Sequence, residues 1–387
     1  MSKEYHDVRV LMHRAFAVFL FVFLIFDVGR VYASLNLGII AQQKENFQPN
    51  ATRAEAEKLT KEGLQLFQQG TAESLVAARK KWEAALIKWR KLEDKKWQAI
   101  MLKGIGQIYS DLGEKQKALQ FYDQALPLYR AVGDRSGEAT ILNNIGAVYS
   151  YLGEKHKALQ YFNQALPLRR AVEDRVGEAT TLNNIGADYS DLGEKQKALQ
   201  FYDQALPLYR AVGDRYGEAA TLNNIGRIYS DLGENQKALQ FYNQALPLIR
   251  AVGNRYGEAT TLNNVGMVYS DLGEKEKALQ YYDQALPLFR AVGDRSREAT
   301  TINNIGGVYL DLGEKQKALQ FHNQALTLTR AVGDRRGEAA ALRGIGGVYS
   351  DLGEKQKALQ FYDQALPLYR AVGDRRGEAA TLRGIGG

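Results

Sequence analysis

Four histidines, His6, His13, His156 and His322, are the only imidazoles in the chain of 387 residues, and there is no cysteine. Without thiols there is no disulfide framework, no thiolate metal site and no cysteine nucleophile. The histidines are scattered, with no pair at a metal-ligand spacing, which argues against a zinc centre and against a Ser–His–Asp triad. Asp and Glu are plentiful, but they recur at a fixed interval with everything around them. They read as linker and surface residues rather than as an acid/base pair. The glycine-rich stretch Gly344-Ile345-Gly346-Gly347 lacks a following Lys-Ser or Lys-Thr and lies within a helical pattern, so it does not read as a phosphate loop. The expectation is a chain that is not an enzyme and carries no cofactor and no metal.

Composition agrees with a globular class. The chain is 45% hydrophobic and 25% charged, which excludes wholesale disorder, collagen and a polytopic membrane protein. Its net charge of +7 is mild and local. From Arg79 to Lys103, nine Lys or Arg stand against Glu83, Glu93 and Asp94. This segment reads as a solvated helix face, with a docking patch for an acidic partner or anionic lipid as the alternative. The stretch Glu114–Gly153 balances to zero, with both signs interleaved. A nucleic-acid binder usually shows a basic stripe along one face, so no nucleic-acid partner is expected.

The elements that position any site come from self-similarity. Gly113, Gly153, Gly193, Gly233, Gly273, Gly313 and Gly353 stand 40 residues apart, and so do Tyr109, Tyr149, Tyr189, Tyr229, Tyr269, Tyr309 and Tyr349. Each unit reads as two helices. Asp134 can cap the first, in which Leu142, Ile145, Tyr149 and Leu152 form one apolar face. Gly153 ends it where a left-handed residue belongs. The second helix carries Ala158, Leu159, Tyr161, Phe162, Ala165 and Leu166 at helical spacing. Gly146, Ala158 and Ala165 are small where neighbours are large, which lets backbones approach. A single pair of helices hides only one face of each, so the units must stack on one another.

Leu142-x2-Ile145-Gly146-x2-Tyr149, followed by Ala158-x3-Phe162 and Ala165, resembles the tetratricopeptide repeat, with Leu where that motif often has Trp. The same pattern recurs, for example as Leu222, Ile225, Gly226, Tyr229, Ala238, Tyr242 and Ala245. The resemblance implies an all-α fold, a right-handed solenoid of stacked antiparallel helix pairs. Two departures stand out. The family period is about 34 residues, and the usual proline is displaced inward, to Pro127, Pro167, Pro207, Pro247, Pro287 and Pro367, with Thr327 in the remaining unit. Each such proline lacks an N–H, so a bend is expected there. The longer period resembles the kinesin-light-chain and Leu-Gly-Asn adaptor versions of the repeat. It is also similar to bacterial arrays that precede a caspase-like CHAT domain.

The expected organisation is a signal peptide over 1–33, a linker over 34–53, a degenerate first unit over 54–97, and seven units plus a truncated eighth over 98–387. Lys3, Arg9 and Arg14 precede an apolar run from Ala15 to Phe26, and Val31-Tyr32-Ala33 offers a cleavage site. This pattern implies export to a periplasmic or extracellular space. The alternative is an anchor over residues 15–41, the only route to a membrane partner. In the degenerate unit, Leu59, Gly63, Leu66 and Gly70 imitate the first helix. There Trp82, Ala85, Leu86, Trp89 and Leu92 form a stripe that reads as core rather than as a ligand box. The final helix stops without a polar cap, which suggests a chain that continues into another unit or a CHAT domain.

Function is therefore sought on a groove. One flank of each first helix carries Asn143, Asn183, Asn223, Asn263 and Asn303, a ladder of amides offering donor and acceptor to a peptide backbone. Asn144, Asn184, Asn224, Asn264 and Asn304 are second choices. The resemblance places this flank on the concave side, where related adaptors hold extended peptides. The alternative is that the amides bond each other or backbone across repeats. Variable positions among near-copies, above all Arg227 and Arg343, are candidates for selectivity. The expected partner is a protein or an extended peptide, and a repetitive one would gain from near-identical subsites.

Overall fold

The computed structural model describes residues 48–386. The expected signal or anchor segment and most of the expected linker lie outside them. The described residues form 17 helices and no strand. They fall into two compact units, one ending at Gly133 and one beginning at Asp134, a repeat boundary.

The first unit holds α1 (Pro49–Phe67), α2 (Ala72–Lys91), α3 (Lys95–Asp111) and α4 (Lys115–Ala131). Two boundaries differ from expectation. α1 begins at Pro49, inside the stretch assigned to linker, because proline suits the first helical turn, where its missing N–H is not needed. α3 begins at Lys95, ahead of the boundary at 98, because Asp94 accepts a hydrogen bond from the Trp97 N–H and so caps it. The tryptophan stripe is core. Trp82, Ala85, Leu86 and Trp89 are buried, and both indole N–H groups donate to Thr60, Trp82 to its carbonyl at 3.1 Å and Trp89 to its hydroxyl at 3.2 Å.

The second unit holds six helix pairs and a final single helix. The first helices are α5 (Arg135–Tyr151), α7 (Arg175–Asp191), α9 (Arg215–Asp231), α11 (Arg255–Asp271), α13 (Arg295–Asp311) and α15 (Arg335–Asp351). Their partners are α6 (Lys155–Ala171), α8 (Lys195–Val212), α10 (Asn235–Ala251), α12 (Lys275–Val292), α14 (Lys315–Val332) and α16 (Lys355–Ala371), and α17 (Arg375–Gly386) follows.

Local chemistry sets these boundaries. Asp134 accepts from the Gly137 N–H at 2.8 Å, and the equivalent Asp or Asn does the same at the start of the other first helices, satisfying one of their unpaired donors. Gly153 ends α5 at φ 80°, and the Glu154 N–H reaches back to the Tyr149 carbonyl at 2.9 Å. The second helices run unbroken through Pro167, Pro207, Pro247, Pro287 and Pro367. Proline there removes one backbone hydrogen bond without ending the helix.

The core lies between repeats as much as within them. Ala158, Leu159 and Phe162 of α6 pack with Leu182 and Ile185 of α7 and with Ala205 and Tyr209 of α8 in one buried cluster. A second such cluster joins Ile302 of α13, Leu326 of α14, Leu342 and Ile345 of α15 and Tyr369 of α16. No pair could hide these side chains alone. The expected close approach is also present. A Cβ on Gly146 would fall 2.6 Å from the Phe162 ring, so glycine is what lets α5 and α6 meet there.

Candidate functional site

Within the second unit each first helix packs on its partner and also on the first helix of the next repeat, from α5·α7 through to α15·α17. Successive second helices make no comparable packing. The first helices therefore line the closer-packed, inner side of this stack, and a ligand running along it meets one register of side chains per repeat.

The amide ladder lies on that side, and its carbonyl ends are occupied. Thr181, Thr221, Thr261 and Thr301 are fully buried. Their hydroxyls lie 3.2, 3.1, 3.0 and 3.1 Å from Oδ1 of Asn143, Asn183, Asn223 and Asn263 in the preceding repeat. Each hydroxyl also lies within hydrogen-bond reach of a backbone carbonyl one turn back, and its single proton serves both acceptors. Asn184 and Asn304 add amide bonds to Asn143 and Asn263 at 3.3 and 3.4 Å. The expectation that these asparagines offer donor and acceptor together is thus corrected. The acceptor is held at the repeat interface, and at Asn263 the NH2 group is also engaged, 3.7 Å from Sδ of Met267.

The ladder changes character at its end. Ala341 stands where a threonine would, so Asn303 has no hydroxyl to meet. Its Oδ1 instead lies 2.8 Å from Nδ1 of His322. His322 occupies the register of Tyr202, Tyr242, Tyr282 and Tyr362 and is 2% exposed. Burial, reinforced by the Arg343 guanidinium, pushes its imidazole down to about 4. The ring is neutral at pH 7, and Nε2 is buried with no partner among the described residues. Beside it opens a cavity of about 360 Å³ lined by Asn303, Asn304, Gly307, His322, Arg343 and Gly344, among others.

Two further grooves lie on the same side. One, of about 160 Å³, is walled by Tyr216, Asn223, Asn224, Val252 and Tyr256. The other, of about 1160 Å³, runs from Tyr256 past Arg297, Arg336 and Arg343 to Arg376 and Arg383. Of the residues expected from sequence, Asn223, Asn303 and Arg343, and the second choices Asn224 and Asn304, line a groove. Asn143, Asn183 and Asn263 lie on the ladder but line none of these three. Arg227 is exposed, with Nη2 3.3 Å from the Ser190 hydroxyl and 3.9 Å from the Asp191 carboxylate of the preceding repeat. Tyr216, Tyr256, Arg336 and Arg376 escaped the sequence reading. They share one register near the start of the first helix, outside the Leu-x2-Ile-Gly-x2-Tyr motif. The available signal was their variation among otherwise matching copies. Among the described residues no cluster of three or more His, Asp or Glu could hold a metal ion.

This is the architecture of a helical-repeat protein built of stacked helix pairs. The Tetratricopeptide repeat family matches residues 71–131, 116–171, 137–211, 177–251, 217–291 and 297–371, well over half the chain, and the chain belongs to that family. Among curated protein sequences none matches. Several solved structures share the fold. The apo form of the quorum sensor NprR from B. thuringiensis is 18% identical, with a TM-score of 0.65, over 88% of this chain and 93% of that one. A Rap protein complexed with Competence and Sporulation Factor is 14% identical, with a TM-score of 0.58, over 85% and 97%. The STAND protein PH0952 from Pyrococcus horikoshii, described as having a tetratricopeptide repeat sensor, is 17% identical, with a TM-score of 0.60, over 84% and 55%.

Proposed function

We propose that this chain is a non-catalytic scaffold that holds a protein or extended peptide along the first-helix side of its second unit. The observation that carries this reading is the coincidence, on one side, of the asparagine ladder and three grooves. An extended backbone presents carbonyls at regular intervals, and the asparagine NH2 groups supply donors once per repeat. The Rap structure, solved with Competence and Sporulation Factor, is a relative in fold that holds a partner, which supports the same use here.

The test is a triple variant, Asn183→Asp, Asn223→Asp and Asn263→Asp. Aspartate keeps an acceptor for Thr221, Thr261 and Thr301 but removes the NH2 donor. Peptides selected from a displayed library against the full chain should lose at least tenfold in affinity for the variant, with helicity retained. Unchanged affinity rejects the ladder as a binding element, and a library that yields no binder rejects the reading as a whole.

A second reading refines the first: the array is the sensing half of a longer signalling protein, such as one with a CHAT domain. It is favoured by PH0952, whose repeat sensor is one part of a larger chain. The N-terminal pattern over residues 1–33 supports export. N-terminal sequencing of the protein recovered from its native host tests it, with Ser34 as the expected first residue.

A further inference from the structure

Positive charge is not shared evenly along the chain. Residues 48–133 carry 15 Lys or Arg against 10 Asp or Glu, whereas the residues from 134 on carry 31 against 30. Near-identical repeats show where the excess arises. Across the turn from α2 to α3, Lys91 stands in the register of Ala131, Ala171 and Ala211. Lys96 stands in that of Ser136, Val176 and Tyr216, and Gln98 in that of Glu138, Glu178 and Glu218. Each of these departures makes the turn one charge more positive. Only Glu93, in the register of Gly133 and Glu173, runs the other way.

The missing glutamate leaves a cation unpaired. In the second unit an arginine near the end of each second helix meets that glutamate, as in Arg170–Glu178 at 2.6 Å, Arg210–Glu218 at 2.7 Å and Arg250–Glu258 at 2.6 Å. Gln98 instead donates to the Trp89 carbonyl at 3.2 Å, and Arg90 reaches only the Gln124 side-chain oxygen at 3.3 Å. Arg90, Lys91, Lys95 and Lys96 are exposed with no acidic partner among the described residues. Asp94 is already engaged, one oxygen capping α3 and the other 3.4 Å from Arg53. Lys96 also adds a second cation to the first turn of α3, where the helix dipole disfavours it and no acid offsets it. Helix stability does not account for this arrangement.

We propose that this end of the first unit docks on an anionic lipid bilayer, with Arg90, Lys91, Lys95 and Lys96 against the headgroups. Lysines predominate, and their compact charges on flexible stems suit mobile headgroups better than the fixed bidentate pairing that arginine gives a carboxylate. Ile87, one turn before Lys91 on α2, is 56% exposed and offers an apolar side chain to the acyl boundary beside the cations. The chain also enters the unit at this end. Lys88 meets Glu55 at 2.7 Å and Arg53 meets Asp94, which holds the start of α1 beside the basic turn. Upstream lies the apolar run Ala15–Phe26, and a run of that kind, as signal or as anchor, delivers the residues after it to a membrane. Residues 34–47 hold one Lys and one Glu, so the connecting stretch does not neutralise the cluster.

The surface belongs to the first unit and is independent of peptide binding on the second. The full chain is co-sedimented at low salt with vesicles of phosphatidylcholine alone and of phosphatidylcholine with one third phosphatidylglycerol. Any insertion of the apolar run is common to both, so the readout is the ratio of the two partition coefficients. One lysine near an anionic surface contributes about fivefold. The triple variant Lys91→Ala, Lys96→Ser and Gln98→Glu installs residues that sister repeats carry. It should lower the ratio at least tenfold with the far-UV spectrum unchanged. Arg175→Gln, Arg215→Gln and Arg255→Gln remove as much charge from the second unit and should leave the ratio as it is. Raising the salt should bring the wild-type ratio toward one. Equal partition of the wild type into both vesicles overturns the proposal, as does a wild-type ratio in the first triple variant or an equal loss in the second. Displacement from the anionic vesicles by hexathymidylate at equal phosphate concentration also overturns it, in favour of a nucleic acid.

Discussion

The Asp188 carboxylate is fully buried with Oδ1 3.1 Å from Nζ of Lys155, in a register that holds Val148, Ile228, Val268, Val308 and Val348 in the sister repeats. The Ser150 hydroxyl also donates to it, while Oδ2 has no partner among the described residues. Burial pushes the carboxyl up, opposed by the Ser150 and Lys155 hydrogen bonds. Lys155 has a second partner, Asp191 at 2.7 Å, so it is not stranded if Asp188 is removed. A buried pair of this kind is often matched or exceeded by an apolar residue. Asp188→Val should therefore stabilise the chain by about 1–3 kcal/mol at pH 7 in urea denaturation. The folded-state carboxyl titrates above its ordinary value, so Asp188 favours folding below the unfolded value and loses that contribution as pH rises. The advantage of the valine should shrink toward pH 4. A valine variant that unfolds at lower urea would contradict this account.

His322 predicts acid sensitivity. Its folded-state value of about 4 lies below the unfolded 6.5. The unfolded chain therefore takes up the proton first, and stability present above pH 6.5 is lost as pH falls toward 4. The loss from this group is about 3 kcal/mol. His322→Tyr restores the residue of the sister repeats, and thermal melts across this range should fall less steeply for it. Parallel curves for the two proteins would refute the assignment.

Two glycines of the first helices, in adjacent registers, should respond oppositely to alanine. A Cβ on Gly226 would lie 2.8 Å from the Tyr242 ring, so Gly226→Ala forces α9 and α10 apart, at a cost of about 1–3 kcal/mol. A Cβ on Gly307 meets nothing within 4 Å. Gly307→Ala should gain about 0.5–1 kcal/mol from helix propensity alone. Denaturation midpoints of the two variants give the comparison directly.

Glu173 stands at φ 54° in the register of Gly133, Gly213, Gly253, Gly293, Gly333 and Gly373. A side chain in the left-handed region carries a steric cost that glycine does not. Glu173→Gly should raise stability by about 1 kcal/mol, read as a higher Tm. An unchanged or lower Tm would show that the Glu173 side chain earns its place by contacts elsewhere.

Much was legible in the sequence because the signals are local and repeated. The Leu-x2-Ile-Gly-x2-Tyr spacing gives an apolar helix face, Asp134 and its equivalents mark helix starts, and Gly153 and its equivalents mark ends. These choices depend on residues within one or two turns of one another, so the pair of helices per 40 residues could be read directly. The tryptophan stripe at Trp82 and Trp89 was read as core for the same reason. What only the tertiary structure decided lies between repeats. Asn183 meets Thr221, 38 residues on, and no helical period says whether an amide on a flank bonds its neighbour or faces a ligand. His322 is neutral and buried because Ala341 and Gly344 of the next first helix leave Asn303 and the ring to each other. Arg336, Arg343, Arg376 and Arg383 are separate surface positions along the chain and become one groove only when α15 and α17 lie side by side. Periodicity determines which face of a helix is apolar. What that helix meets is set by packing against residues about 40 positions away, where the physical contact is made.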